Sequence, residues 1–579
     1  MENKYSNERN IQIVISLLKS HGINKVIASP GGASMTFVAS LQQDPFFTMY
    51  SAADERSAAY IACGLSAETN ETVVLSCTGA TSSRNYMPGL TEAYYRKLPI
   101  LAITSGRSTT TVGHHMDQVI DRSVLPKDVA KLSVSIPIVK DKEDEWDAMI
   151  KVNKAILELT HSGAGPVHIN LPTTYSRDFS VKELPPVRKI NRITPHDSLP
   201  SLPNGNIGIF VGSHIKWSDE LTTTVDRFCE SNNAVVLCDH TSNYKGKYQV
   251  LIPLIETQSA LKKNDLDLLI HIGEVSSSGY NKTREVWRVS DDGELRDTFN
   301  KLTCVFEMSE LDFFKYYISK NNNTTLFENY QAEYNDLYDR IPDLPFSNIW
   351  IAKKLSKELP KGSVLHLAIR NSLRAWNFFE IDNSIAAYSN VGGFGIDGGV
   401  SSLIGASFAH PQKLYFGVIG DLAFFYDMNS LGNRHIKNNL RILLINNGRG
   451  QEFRNHISMG AMFGEETDKF IAAGGHYGNQ SPNLVKHFAQ DLGFEYISAS
   501  NKDDFENVYK NFVSSKITSK PLLFEVFTNT EEENKALKMI SSLTVTGKLV
   551  QSAREAVNGK TFNLLKEWRF RSDRATHFG

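Results

Sequence analysis

Leu414-Tyr-Phe-Gly-Val-Ile-Gly-Asp-Leu-Ala423 and, further on, Leu440-Arg-Ile-Leu-Leu-Ile-Asn-Asn-Gly448 decide how this chain is read. Each is a mostly apolar run of strand length that stops abruptly at small and polar residues, the pattern of a strand buried on both faces of a parallel sheet. Gly420-Asp421 closes the first run and Asn446-Asn-Gly448 the second, with 26 residues from Asp421 to Asn447. Gly-Asp and Asn-Asn-Gly are also ordinary turn sequences. Their place at the carboxyl ends of two strands adds a second meaning, because open α/β sheets bind ligands along that edge. A carboxylate and an amide oxygen are the hard donors that Mg²⁺ takes beside phosphate oxygens. Asp421, Asn447 and a backbone carbonyl near Arg449 are therefore the predicted metal ligands, and Gly420 and Gly448 let the main chain approach a phosphate closely.

Working outward, the same alternation of short apolar strands and helical stretches fills most of the chain, which predicts an α/β protein of three successive doubly wound parallel-sheet domains. The first, 1–185, opens with an amphipathic helix from Glu8 to His21 and has strands at Lys25–Ser29, Thr72–Cys77, Pro99–Thr104 and Pro166–Asn170. A Pro-rich linker covers 186–203. The central domain, 204–325, has strands at Ile207–Val211, Ala234–Cys238, Leu266–Ile272 and Thr303–Phe306. The third, 345–530, has strands at Val364–Ala368, Leu414–Ile419, Leu440–Ile445 and Leu522–Phe527, and a tail, 531–579, ends in a basic, aromatic run after Lys566.

The 579 residues are too many for one hydrophobic core. With 41% apolar residues and a formal net charge of -2, the chain lacks the basic excess of a nucleic-acid binder. No apolar run approaches the roughly 18 residues of a membrane span, and the polar first ten residues lack a signal-peptide core. A cytoplasmic location is expected. The five cysteines have no CxxC spacing and read as buried thiols. The central domain has no GxGxxG followed by an acid, so neither FAD nor NAD is expected there.

Gly420-Asp-Leu-Ala423 followed by Asn447 resembles the signature of thiamine diphosphate enzymes of the acetolactate synthase-like type, and the likeness runs from about residue 5 to about residue 530. Leu422 departs from the glycine that many members carry. The resemblance implies pyrimidine-binding, central and diphosphate-binding domains in that order, with thiamine diphosphate and Mg²⁺ as cofactors. In Asp54-Glu-Arg56, Glu55 takes the place of the glutamate that hydrogen-bonds the aminopyrimidine and favours its imino form. On its own, an acid opening a helix is ordinary dipole complementarity. Thr78 matches a loop near the pyrimidine and Ile396 the apolar wedge that bends the cofactor, while Asn371 and Ser372 match diphosphate contacts beside Gly420, Asp421, Leu422 and Ala423. Because such enzymes divide the glutamate and the metal site between protomers, a homodimer or homotetramer is implied.

Within that family the closest likeness is to the menaquinone-pathway synthase that joins a 2-oxoglutarate-derived unit to isochorismate. Asp54-Glu-Arg56, the run from Ser389 to Gly398 and the run from Gly420 to Leu431 carry it. Arg107, Gln118 and Lys282 match polar substrate positions of that branch. Three of its arginines are missing, with Ala33, Trp376 and Val391 in their places, so Trp376 is read as a substrate contact and Arg370 or Arg374 as a replacement charge. Arginine pairs with carboxylates through a planar fork. Its loss points to a smaller or less acidic substrate pair, pyruvate being the simplest donor. His114-His115 is similar to a pair in pyruvate-decarboxylase-like members, and imidazoles titrate in the range needed to move protons at neutral pH. The expected activity is a carboligase that decarboxylates a 2-oxo acid and transfers the acyl carbanion unit to an acceptor, with Glu55, Gln118, His114 and His115 catalytic. A simple 2-oxo acid decarboxylase and a non-catalytic cofactor-binding protein are the alternatives.

Overall fold

The apolar runs form parallel strands, and the computed structural model describes them within residues 4–258, 266–279, 282–319, 323–476, 481–544 and 548. The chain divides into two compact units, Met1–Leu199 with Asp291–Met308, and Pro200–Ser290 with Ser309–Gly579.

In the first unit, β1 (Lys25–Ala28), β2 (Thr48–Ser51), β3 (Val73–Thr78), β4 (Ile100–Gly106), β5 (Leu132–Ser135) and β6 (Val167–Pro172) form a sheet of order β2-β1-β3-β4-β6-β5. Every pairing in it is parallel. Side chains alternate between its faces. Val74, Leu101, Ile103, Val167 and Ile169 meet the helix Arg9–Ser20 on one face. Val73, Leu75, Cys77, Ile100 and Ala102 meet the helix Glu55–Thr69 on the other. The expected linker is not structureless: Asn191–Ile193 (β7) pairs in parallel with the segment Leu302–Glu307 of the same unit. Contacts thus assign Asp291–Met308 to the first unit, although the sequence placed those residues in a central domain.

In the second unit, β8 (Ile207–Val211), β9 (Ala234–Cys238), β10 (Gln249–Leu251), β11 (Leu266–Ile272) and β12 (Thr283–Ser290) run in the order β10-β9-β8-β11-β12. After β13 (Leu302–Glu307) come β14 (Val364–Leu367), β15 (Ala386–Tyr388), β16 (Tyr415–Gly420), β17 (Leu440–Asn446), β18 (Glu495–Ala499) and β19 (Leu522–Phe527), in the order β15-β14-β16-β17-β19-β18. This repeats the strand order of the first sheet. In both, the second strand lies outside the first and the third on its other side, so a switch in winding direction falls between β1 and β3 and again between β14 and β16. Ligand crevices open at the carboxyl ends of strands flanking such a switch.

Strands expected from apolar runs appear within two residues of their expected bounds. The strands that the sequence did not reveal are mainly edge strands, β5, β10, β15 and β18. An edge strand has one free flank and tolerates polar side chains, as the half-exposed pattern of Glu495–Ala499 illustrates. All five cysteines are buried and free. No helix among the described residues is long and apolar enough to cross a membrane. The helix Thr530–Ser541 falls in the expected tail, whose basic run after Lys566 lies outside the described residues.

Gly89 lets the helix Met87–Tyr95 approach the helix that begins at Glu55, for a Cβ there would overlap Ala59. Gly89→Leu is expected to destabilise the unit by about 1–3 kcal/mol, read as a lower urea midpoint at unchanged slope. His168 is buried in β6 between the Thr104 and Ser133 hydroxyls, both 2.8 Å away. Burial foremost, with Arg122 and Arg84 adding to it, pushes its pKa down to about 3. The unfolded chain therefore takes up a proton near pH 6.5 that the folded chain refuses until about pH 3, so stability is lost as pH falls through that window. His168→Asn should flatten the decline in urea midpoint between pH 7 and pH 5.

Candidate active site

Asp421 follows β16 directly and opens the short helix Asp421–Asp427, while Asn447 follows β17, the adjacent strand. The structure brings the two together. Asp421 is 4% exposed, and its Oδ2 accepts the amide hydrogens of Asn447 at 3.1 Å, Gly448 at 2.5 Å and Arg449 at 3.0 Å. Its Oδ1 accepts the amide of Leu422 at 2.7 Å. Gly448, at φ 78°, permits the turn that aims these amides at one oxygen. Burial raises the carboxyl pKa to about 7 against the opposing pull of the four amides. Beside it, the Asn447 Oδ1 is buried without a hydrogen-bond partner. A buried carboxylate next to an orphaned amide oxygen is a donor set that suits a hard cation. Arg449 continues the loop, and its guanidinium and that of Arg454 converge on Asp468. Leu422 and Ala423 begin the helix, with Ala423 in the core beneath it.

Asn371 and Ser372 open the helix after β14. The Asn371 Oδ1 accepts from Arg374 at 2.9 Å and from Asn455 at 2.7 Å, and Ser372 is buried. Arg374 is held by Glu452 through two bonds of 2.7 and 2.9 Å, so it is a paired cation, whereas Arg370 is exposed, at φ 64°, with its guanidinium over the Phe394 ring and only a long contact of 4.0 Å to the same Glu452. Ile396 is half-buried against the core of the third sheet. Trp376 corrects an expectation: at 1% exposed it is an interior packing residue, and a ring sealed there cannot meet a substrate. Lys282 is exposed at the start of β12, at the amino edge of its sheet, the opposite edge from the one that carries Asp421 in the third sheet. Near the Asn447 loop, an open cleft of about 990 Å³ is lined by Arg449, Arg454, Asp468, Thr528 and Lys535.

In the first unit, Asp54 caps the helix Glu55–Thr69 by accepting the amides of Arg56 and Ser57. Glu55, in the first turn, is half-buried and accepts from the Asn85 amide at 3.3 Å. Thr78 ends β3 with its hydroxyl buried and unpartnered, and a Cβ on Gly31 would overlap it. Arg107 pairs with Asp117 at 3.1 Å, lies over the Tyr175 ring, and shares with Gln118 a cavity of about 230 Å³. Gln118 adopts φ 57°, a strained conformation of the sort found at binding sites. His114 and His115 are exposed, and among the described residues neither ring has a hydrogen-bond partner.

Arg122, Asn85 and Asn170 escaped the sequence reading. Arg122 is 6% exposed and donates to the Gly79 carbonyl at 2.6 Å and to the Asn170 Oδ1. Only the glycines at 79 and 106 hinted at it, since a Cβ at either would crowd its guanidinium. Burial raises the Cys77 thiol pKa to about 12, and that thiol feels both Glu55 and Arg122, so the two share one neighbourhood.

Residues 10–125 match the family model described as the thiamine pyrophosphate enzyme, N-terminal TPP binding domain. A 2-succinyl-5-enolpyruvyl-6-hydroxy-3-cyclohexene-1-carboxylate synthase of Bacteroides thetaiotaomicron is 32% identical, over 92% of this chain and 98% of its own. A synthase of the same name from Phocaeicola vulgatus is 31% identical over the same shares, and one from Flavobacterium johnsoniae 28% over 91% and 97%. Among solved structures, a thiamine diphosphate-dependent 4-hydroxybenzoylformate decarboxylase of Rhodococcus jostii is 18% identical, with a TM-score of 0.39 over 90% of this chain and 100% of its own.

Asp421→Asn would set an NH₂ group among four converging donors. The expected cost is about 1–3 kcal/mol, present in chelator and without any cofactor, and read from urea melts of the apoprotein.

Proposed function

Because the chain belongs to the 2-succinyl-5-enolpyruvyl-6-hydroxy-3-cyclohexene-1-carboxylate synthase family of thiamine diphosphate enzymes, we propose that it decarboxylates a 2-oxo acid and adds the remaining acyl unit to an unsaturated cyclic acceptor. The product name of the relatives suggests the partners. A succinyl group is what 2-oxoglutarate leaves after losing carbon dioxide, and removing it from the product leaves an isochorismate-like acceptor. The observation that supports the proposal is that Asp421 and Asn447 stand at the ends of adjacent strands, with the Asp421 Oδ2 accepting the Asn447 main-chain amide at 3.1 Å and the Asn447 Oδ1 buried without a partner.

Mg²⁺ would be held by Asp421, Asn447 and the main chain at Arg449, with Asn371 and Ser372 toward the diphosphate. Bound thiamine diphosphate supplies the carbon centre that stabilises the negative charge left by decarboxylation. The protein contributes position and proton control. Glu55 would hydrogen-bond the aminopyrimidine, held in place by the capped helix that it opens and by Asn85. Gln118 and Arg107 border a cavity where a carboxylate or hydroxyl is oriented. Lys282 is proposed to add positive charge at the acceptor. His114 and His115, exposed and unpaired, are assigned no more than proton exchange with solvent.

The protein acts as a homo-oligomer in this reading. Tyr60 and Ile61, 47% and 50% exposed on the helix that Glu55 opens, are apolar surface that a second copy would cover.

Glu55→Gln is expected to lower kcat for carbon dioxide release from 2-oxoglutarate by about 10²- to 10⁴-fold while thiamine diphosphate still binds, as followed by calorimetry. Equal turnover in wild type and variant, or none in either with any 2-oxo acid, would sink the catalytic reading and favour a cofactor-binding protein without activity.

A further inference from the structure

Arg122 is a buried guanidinium whose hydrogen-bond partners are neutral. Its Nη1 donates to the Gly79 carbonyl at 2.6 Å, its Nη2 donates to the Asn170 Oδ1, and its Nε is buried without a partner. Among the described residues no carboxylate lies within ion-pair distance of it. Besides the Cys77 thiol and the Tyr175 phenol, the carboxylate that reaches it electrostatically is Asp121, whose Oδ1 already accepts from the amide and hydroxyl of Ser123 at 2.9 and 2.6 Å. A charge taken out of water and left without a direct counter-charge is costly, and a bound anion offsets that cost. Arginine does not escape by losing its proton at any working pH.

The surroundings fit such an anion. Gly79 follows β3, Gly106 ends β4 and Asn170 lies in β6, so Arg122 spans the carboxyl ends of three neighbouring strands. It borders the cavity of about 230 Å³ together with Arg107, Gln118 and Asn170. Arg107 is partly engaged by Asp117. Asp121 lines the cavity as well, with one carboxylate oxygen taken up by Ser123, so what sets Arg122 apart is its buried, unpartnered Nε and the absence of a direct carboxylate contact among the described residues.

Resting on the thiamine diphosphate reading above, we propose that Arg122 is a specificity-determining residue that binds a substrate carboxylate retained through the reaction. The carboxylate lost as carbon dioxide is a poor partner for it, since its charge disappears toward the transition state and a strong pair would favour the ground state. A remote carboxylate keeps its charge throughout, and pairing it orients the reacting carbonyl. Arg122 thereby supplies positive charge that the chain lacks at Ala33, Trp376 and Val391.

The test uses the full chain with thiamine diphosphate and MgCl₂, and the variants Arg122→Gln, which keeps donors for Gly79 or Asn170, and Arg122→Lys, which keeps the charge. In Arg122→Gln the KM for 2-oxoglutarate or for isochorismate should rise about ten- to hundredfold, with kcat changed less than about threefold. The KM for 2-oxopentanoate, which has no remote carboxylate, should stay put, and Arg122→Lys should recover part of the loss. Whichever KM moves identifies the donor or the acceptor as the source of the carboxylate. Independently of turnover, millimolar succinate should raise the melting temperature of wild type and not that of Arg122→Gln. A KM change shared by charged and uncharged substrates, a fall in kcat alone, or an equal succinate effect, including none, on wild type and variant overturns the proposal and leaves Arg122 as a bridge between strand ends. If no 2-oxo acid is decarboxylated but the succinate shift depends on Arg122, the functional reading fails and the carboxylate site stands.

Discussion

One carboxylate joins the ends of two strands. Asp421, at the exit of β16, gathers the amides of three successive residues at the exit of β17 onto a single oxygen. That geometry works only if Asp421 is rigid, and it is: strand β16 is buried and the helix that follows is packed into the core of the third sheet. It also works only if the loop can turn sharply, which Gly448 allows. With the amides drawn inward, the Asn447 side-chain oxygen is left buried and unpartnered beside the carboxylate. The carboxylate is thereby fixed by main-chain hydrogen bonds, while the Asn447 oxygen keeps its lone pairs free of them.

The repeated strand order gives the protein two crevices of one kind. In the first and third sheets the winding direction switches after the first strand, and the polar residues of the candidate site cluster at carboxyl ends around those switches. Thr78 and Glu55 belong to one, Asn371 and Asp421 to the other. The middle sheet follows another order and carries none of the motif residues except Lys282, at its amino edge. Division of labour between similar folds then rests on the side chains at the strand ends, because the backbone frameworks are alike.

Electrostatics separates the two crevices. The third sheet holds a buried acid, Asp421, and the first a buried base, Arg122, each bonded to neutral groups and, among the described residues, without an ion pair. Isolated charges of this kind are costly in a protein interior and are maintained where a ligand of opposite charge completes them. A cation would offset Asp421 and an anion Arg122, so the two crevices suit groups of opposite charge.

Sequence alone determined the layered α/β architecture, because strands buried on both faces must be apolar throughout and end where polar residues meet solvent. It also made Asp421 and Asn447 legible as a candidate pair, since both stand directly after such runs, whereas Glu55 was singled out by the family resemblance, because an acid opening a helix is otherwise ordinary. Edge strands such as Glu495–Ala499 left no comparable trace, because a strand with a free flank is not required to be apolar. The tertiary structure decided what linear spacing does not encode: that Trp376 is enclosed, that Arg374 is neutralised by Glu452, that His114 and His115 are exposed, and that Arg122 reaches across three strand ends to residues 43 and 48 positions away. Whether a charged side chain is free or paired depends on what folding brings beside it, and those neighbours are distant in the chain.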